Sequence, residues 1–305
     1  MGNRSQPGTF TLIALAGATI LSLSLASHVR AAVIPAPTPI PNYLLGKGRL
    51  RGNAVPSIAA ESTSEIRNWI ALYTGLERDR FERFMSRGGV YRGLIQDMLA
   101  REGVPPDFYY LAMIESGFAS RARSRAHAVG IWQFMWGTAR MYGLRADSEV
   151  DERLDVIRST RAAARHLREL KGRLGTWYLA MAAYNAGEGR IRRAIRRAGT
   201  HDYWKLSRRG FLPEETAQYV PKFQAAMQIA RNPSAFGMRI APAYEFPKVR
   251  RAHFAPGMRL SEISRQSGVP LEAIQAMNPH LLHQATPRGG RLKYAVWIPT
   301  YRVRE

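Results

Sequence analysis

The sequence has no cysteine, which removes disulfides, thiolate zinc sites and cysteine-linked lipid anchors. For the same reason the missing disulfides say nothing about compartment. Acidic residues are scarce, 23 against 45 Lys and Arg, giving a formal charge of +22 over 305 residues. That excess does not set a fold but draws a chain toward polyanions such as nucleic acid, an anionic membrane surface or a carboxylate-rich polymer. Long apolar runs are also rare. The clearest spans residues 10–26 after Arg4, about 17 residues, at the low end for crossing a bilayer. Small residues then stand at Val29-Arg30-Ala31 in the spacing of a signal-peptidase site, so residues 1–31 are expected to be a signal peptide, with an uncleaved anchor as the alternative. Losing them would remove only Arg4 and Arg30, and export to the periplasm or cell envelope argues against nucleic acid as the partner.

Segments that alternate with period two are few, so the middle of the chain is expected to be mainly α. Pro35, Pro37, Pro39 and Pro41 make residues 32–57 an extended linker. Ile66, Trp69, Ile70 and Tyr73 then start a helical regime. Further helices are expected around Leu94, Met98 and Leu99, from Asp107 to Phe118, and over 159–171, 177–184, 188–198 and 216–230. Pro242 and Pro247 break this regime, and residues 241–252 read as a second linker. Residues 253–300 read as a small βααβ unit, with helices at 260–266 and 271–277 and a strand at 292–298.

On the expected helix after Asp107, Phe108, Leu111, Glu115 and Phe118 fall on one stripe. A carboxylate there is costly to ionise, and desolvation raises its pKa into the range of a general acid. Periodicity alone equally allows a buried glutamate paired with one of the many arginines.

Four blocks in order change that balance: Glu115-Ser116, Gly130-Ile131-Trp132-Gln133-Phe134, Ala182-Ala183-Tyr184-Asn185-Ala186-Gly187, and residues 212–221 with Tyr219. Together they resemble the soluble-lytic-transglycosylase-like catalytic domain of glycoside hydrolase family 23. The last block looks like the branch of membrane-bound lytic murein transglycosylase D. The resemblance implies a lysozyme-like helical catalytic domain over residues 58–240. It implies that peptidoglycan glycan strands are cut at the β-1,4 bond between N-acetylmuramic acid and N-acetylglucosamine, with a 1,6-anhydro end as product. Glu115 matches the single acid/base. Ser116, Gln133, Phe134, Tyr184, Asn185 and Tyr219 match substrate-cleft positions. Trp132, Phe134 and Tyr184 read equally as core aromatics on pattern alone, and Gln133 and Asn185 as caps. A hydrolytic muramidase and a non-catalytic peptidoglycan-binding protein remain the alternatives.

No metal and no cofactor are expected. The seven histidines are scattered without HExxH. Gly187-Glu188-Gly189 follows a helix, where a dinucleotide fingerprint needs a strand. Arg190, Arg192, Arg193, Arg196 and Arg197 form a basic helix face that reads as solvated or as a contact for peptide-stem carboxylates or an anionic membrane. The C-terminal unit resembles a LysM module, with Met258 where that family has an aspartate, and whether it binds glycan stays open.

Overall fold

The computed structural model describes residues 56–241, 245–289 and 292–300. The expected leader, most of the proline-rich linker and Pro242 lie outside these residues.

Helix α1 (Ser64–Thr74) begins at Thr63, whose hydroxyl accepts from the Ile66 amide at 3.3 Å. It is followed by α2 (Arg78–Gly89) and α3 (Arg92–Arg101). The expected helix from Asp107 is two pieces, a 3-10 turn (Pro106–Phe108) and α4 (Tyr109–Ser116). It stops because Gly117 takes a left-handed conformation at φ 56°. Phe118, also at positive φ, therefore lies beyond the helix and not on its stripe, although it is still fully buried. Tyr109, Tyr110, Leu111, Ala112 and Met113 are all buried, so α4 is the central helix of the bundle.

Four further helices follow it. The short α5 (Trp136–Met141) precedes the long α6 (Val156–Leu174), whose cap Asp155 accepts from the Ile157 and Arg158 amides, both at 2.9 Å. Thr176 caps α7 (Trp177–Ala186). Helix α8 (Glu188–Ala198) runs over the span expected from its pattern, burying Ile191, Ala194 and Ile195, while its arginines are exposed. Each buried isoleucine there contributes roughly 1.5–3 kcal/mol. Arg192 pairs with Glu188 at 2.7 Å, one turn away.

The last two helices of this part are α9 (Tyr203–Arg208) and α10 (Glu214–Arg231). Helix α10 packs on α1, α4 and α7 and continues through Pro221. Proline has no N–H, so the Ala217 carbonyl loses its helical donor. The buried Tyr203 hydroxyl reaches that carbonyl at 2.9 Å and the Thr216 carbonyl at 3.0 Å. A side chain thus satisfies what the proline leaves open.

The C-terminal unit pairs β1 (Val249–Phe254) antiparallel with β2 (Tyr294–Pro299), with α11 (Leu260–Ser267) and α12 (Leu271–Met277) between them. Its first strand starts inside the stretch expected to be a linker. Its core of Leu260, Ile263, Ile274, Leu281, Val296 and Ile298 also takes in Val150 from the helical part. A second shared cluster joins Met98 and Ile157 to Val249 and Trp297.

Polar contacts cross the same seam. The Trp297 indole donates to Asp155 Oδ2 at 2.7 Å, and Arg158 donates to the Ala295 carbonyl at 2.9 Å and to the Tyr294 hydroxyl. Tyr294 in turn donates to Glu152 at 2.6 Å. His280 is fully buried, its Nδ1 3.5 Å from Asp155 Oδ2. Burial pushes its pKa down to about 4, so it sits there as a neutral ring. The small unit is docked by a desolvated network on the helical part.

Candidate active site

Glu115 lies one residue before the end of α4 and is partly buried. Its partner is not an arginine. The Tyr219 hydroxyl, projecting from α10, donates to Glu115 Oε1. Desolvation pushes the Glu115 pKa up to about 7. The Tyr219 bond and the Lys222 charge oppose that rise, while the Glu215 charge adds to it.

A tight loop is bonded to the next residue, Ser116. Val129 and Phe134 exchange both backbone bonds at 3.1 Å, enclosing a turn in which Gly130 has φ 80° and Gln133 has φ 46°. A positive φ is uncommon for glutamine, and here the Gln133 amide group donates back to the Gly130 carbonyl at 2.7 Å. Gly130 is needed for closeness as well as for φ, because a Cβ there would stand 2.1 Å from the Arg153 carbonyl oxygen.

Three neighbours fix the loop. The Ser116 hydroxyl lies 2.9 Å from the Ile131 carbonyl, the buried Trp132 indole donates to Thr160 at 2.9 Å, and the Tyr184 hydroxyl donates to the Trp132 carbonyl at 2.7 Å. Arg153, held by Asp151 through bonds of 2.8 and 2.9 Å, reaches the Phe134 carbonyl at 3.3 Å.

The candidate residues therefore separate by position. Glu115, Tyr219 and Tyr184 form one group, and burial followed by the Glu115 charge raises the pKa of both phenols well above its usual value. Tyr184 packs edge-on to Phe134 with ring centroids 6.3 Å apart. Ser116 and Phe134 are buried, and Gln133, inside the loop, is half-buried. Asn185 is bound by the first turn of α10: its Nδ2 donates to Glu215 at 3.0 Å and its Oδ1 accepts from Thr216 at 2.8 Å. One amide N–H and one lone pair remain for a ligand.

Pattern reading missed three groups here. Lys222 sits one turn past Tyr219, its ammonium 5.4 Å from the Trp69 ring centroid and its pKa lowered by burial. The i, i+3 spacing on an expected helix was a usable signal for it. Glu215 lies within residues 212–221, but its place beside Asn185 depends on two helices meeting. His166, 5.4 Å from the Tyr184 ring and 2.9 Å from the Tyr142 hydroxyl, is pushed down to about 4 by burial and stays neutral.

Residues 93–207 match the family described as the Transglycosylase SLT domain, a span that holds Glu115, the 129–134 loop, Tyr184 and Asn185. Tyr219, Glu215 and Lys222 lie past its end. Among curated proteins, membrane-bound lytic murein transglycosylase D of Escherichia coli strain K12 is 34% identical over 197 residues, 63% of this chain and 43% of that protein. The peptidoglycan transglycosylase gp16 of Escherichia phage T7 is 38% identical over 104 residues, 33% of this chain and 8% of that one. The chain thus spans less than half the length of either relative. Among solved structures, the 70 kDa soluble lytic transglycosylase of Escherichia coli aligns over 44% of this chain and 24% of its own, at 24% identity and a TM-score of 0.39.

Proposed function

We propose that this chain is a lytic transglycosylase that cuts the β-1,4 bond between N-acetylmuramic acid and N-acetylglucosamine in peptidoglycan, with Glu115 as acid and then base. The observation that carries this is a glutamate whose pKa burial raises to about 7, with a phenol donating to its Oε1. In the first half, Glu115 gives its proton to the glycosidic oxygen as the bond to C1 breaks. In the second, the Glu115 carboxylate takes the proton of the sugar's C6 hydroxyl as that oxygen bonds to C1. The glutamate ends protonated and no water is consumed. Tying nucleophile and anomeric carbon into one sugar gives an entropic advantage over free water. Tyr219 and the Lys222 charge favour the carboxylate between the two halves. Asn185 is placed to orient the substrate with its free N–H, and Gln133 lines the cleft from the loop.

The products test this directly. Digestion of purified peptidoglycan is expected to release muropeptides one water lighter than lysozyme products, read by mass spectrometry. Lysozyme-mass products would mean a hydrolytic muramidase, and no release would mean a binding protein.

Glu215 gives the muramidase alternative its one structural support, since a two-carboxylate mechanism needs a second acid. Its carboxylate already accepts from Asn185, and its charge raises the Glu115 pKa. Under the transglycosylase reading, Glu215→Gln removes that like charge and lowers the Glu115 pKa. Glu115 acts protonated, so the alkaline limb of kcat/KM, expected near pH 7, should move to lower pH while cleavage persists. Near-complete loss at every pH would favour the two-carboxylate mechanism.

The cell envelope is the expected site of action, in keeping with the membrane-bound name of the Escherichia coli relative. Among the described residues no helix is long and apolar enough to cross a membrane. The exposed arginines of α8 suit peptide-stem carboxylates or an anionic membrane surface. The LysM-like unit is proposed as a glycan anchor. It borders a groove of about 750 Å³ lined by Arg259, His283, Gln284 and Arg288, with Glu149 of the helical part at its edge.

A further inference from the structure

Among the described residues six large apolar side chains are exposed, and three of these, Met135, Trp136 and Met141, fall within one short segment. Scattered exposed apolar residues are ordinary, but a cluster calls for a reason. This one begins directly after the 129–134 loop. Trp136 is two residues past Phe134, so their Cα atoms are at most about 7 Å apart.

The Trp136 ring is half exposed but not loose. Its Nε1 donates to the Ala146 carbonyl at 3.2 Å, and the Arg140 guanidinium carbon lies 4.6 Å from its ring centroid. The segment is anchored upstream by the paired backbone of Val129 and Phe134. An indole fixed at its N–H and on one face, with a cation attached, offers a rigid surface that is apolar in one part and charged in another. A pyranose has that same division, with C–H bonds on its face and hydroxyls at its rim. The peptide stems of peptidoglycan add carboxylates, which arginine binds in fork geometry.

We infer that Trp136 and Arg140 form an additional sugar-binding platform next to the Glu115 cleft, where a pyranose of the strand stacks on the indole and Arg140 takes a carboxylate of its peptide stem. This rests on peptidoglycan strands being the substrate. A membrane surface is the competing occupant for exposed Met and Trp. The fixed ring and its continuity with the cleft loop favour the strand.

The test compares kcat/KM on intact peptide-bearing strands with that on a short soluble muropeptide. For Trp136→Ala the long-to-short ratio is expected to fall about tenfold, carried by KM, the scale of one aromatic contact. Trp136→Phe should keep most of the ratio. Arg140→Gln should lower it on peptide-bearing strands but not on strands stripped by an amidase. Binding is read separately in an inactive background: Trp136→Ala added to Glu115→Gln should raise the Kd for strands about tenfold. An unchanged ratio and an unchanged Kd would overturn the platform. So would a Trp136→Ala variant that loses only its sedimentation with phosphatidylglycerol vesicles, which would assign the patch to membrane. If the parent chain cleaves neither substrate, the proposed function fails, and the Kd comparison still decides whether the platform binds strands.

Discussion

Glu115→Gln is expected to fold normally and to lose at least about 100-fold in cleavage rate, the usual scale for a lost general acid. The same change should stabilise the protein in alkaline solution. Burial raises the Glu115 pKa from the ordinary carboxylate range to about 7, so the folded state binds this proton more tightly than the unfolded chain. Stability from this group is therefore full below the unfolded value and declines as pH rises through about 7. Glutamine removes that penalty. Thermal melts of the two proteins should separate between about pH 5 and 7 and stay apart above it, by no more than about 2 kcal/mol in favour of glutamine after its weaker bond to Tyr219 is counted. At pH 4 to 5 the gain should vanish. Substantial residual cleavage in a well-folded variant would remove Glu115 from the chemistry, and a melting difference independent of pH would show that its carboxyl titrates normally.

Trp297→Ala is expected to cost about 3–5 kcal/mol, the range for truncating a large buried aromatic ring. Part of that cost arises across the seam, because Asp155, 1% exposed, loses its indole donor and keeps a buried charge. Trp297→Phe should recover the packing but not the hydrogen bond. Removing everything after Arg239 goes further, uncovering Met98, Val150 and Ile157 and leaving Arg158 and Glu152 without Tyr294 and Ala295. The remaining helical part should then unfold at clearly lower denaturant concentration than the full chain. A linker at 241–252 implies instead a helical part complete in itself, whose unfolding the truncation would leave unchanged. The two are separated by one urea titration. The loss should also reach the cleft loop: the Asp151 amide donates to the His280 carbonyl at 3.0 Å, and Asp151 holds the Arg153 that grips Phe134.

What could be read from the sequence was local. The apolar face of α8, its glycine stop and the βααβ order of the last fifty residues all follow from periods and punctuation. Helix α2 went unread although Phe81 and Met85 are spaced one turn apart, because charged residues and a Gly-Gly pair dilute the pattern. Seven-residue spacing from Leu111 puts Phe118 on the α4 stripe, whereas Gly117 turns the chain left-handed first. The Glu115 reading rested on an apolar stripe plus resemblance. Its actual partner, Tyr219, is 104 residues away, and no period in a single chain encodes such a meeting. The docking of Trp297 on Asp155, 142 residues apart, was out of reach for the same reason.

Gly130 separates tolerance to mutation from chemistry. It has no side chain that could bind or react, yet any side chain placed there meets the Arg153 carbonyl oxygen, backbone that cannot swing aside as a flexible side chain would. In a library scoring every substitution for activity, Gly130 should be as depleted as Glu115. Counting the folded fraction of each variant tells them apart: the glutamate's variants remain abundant and idle, while the glycine's are missing from the soluble pool.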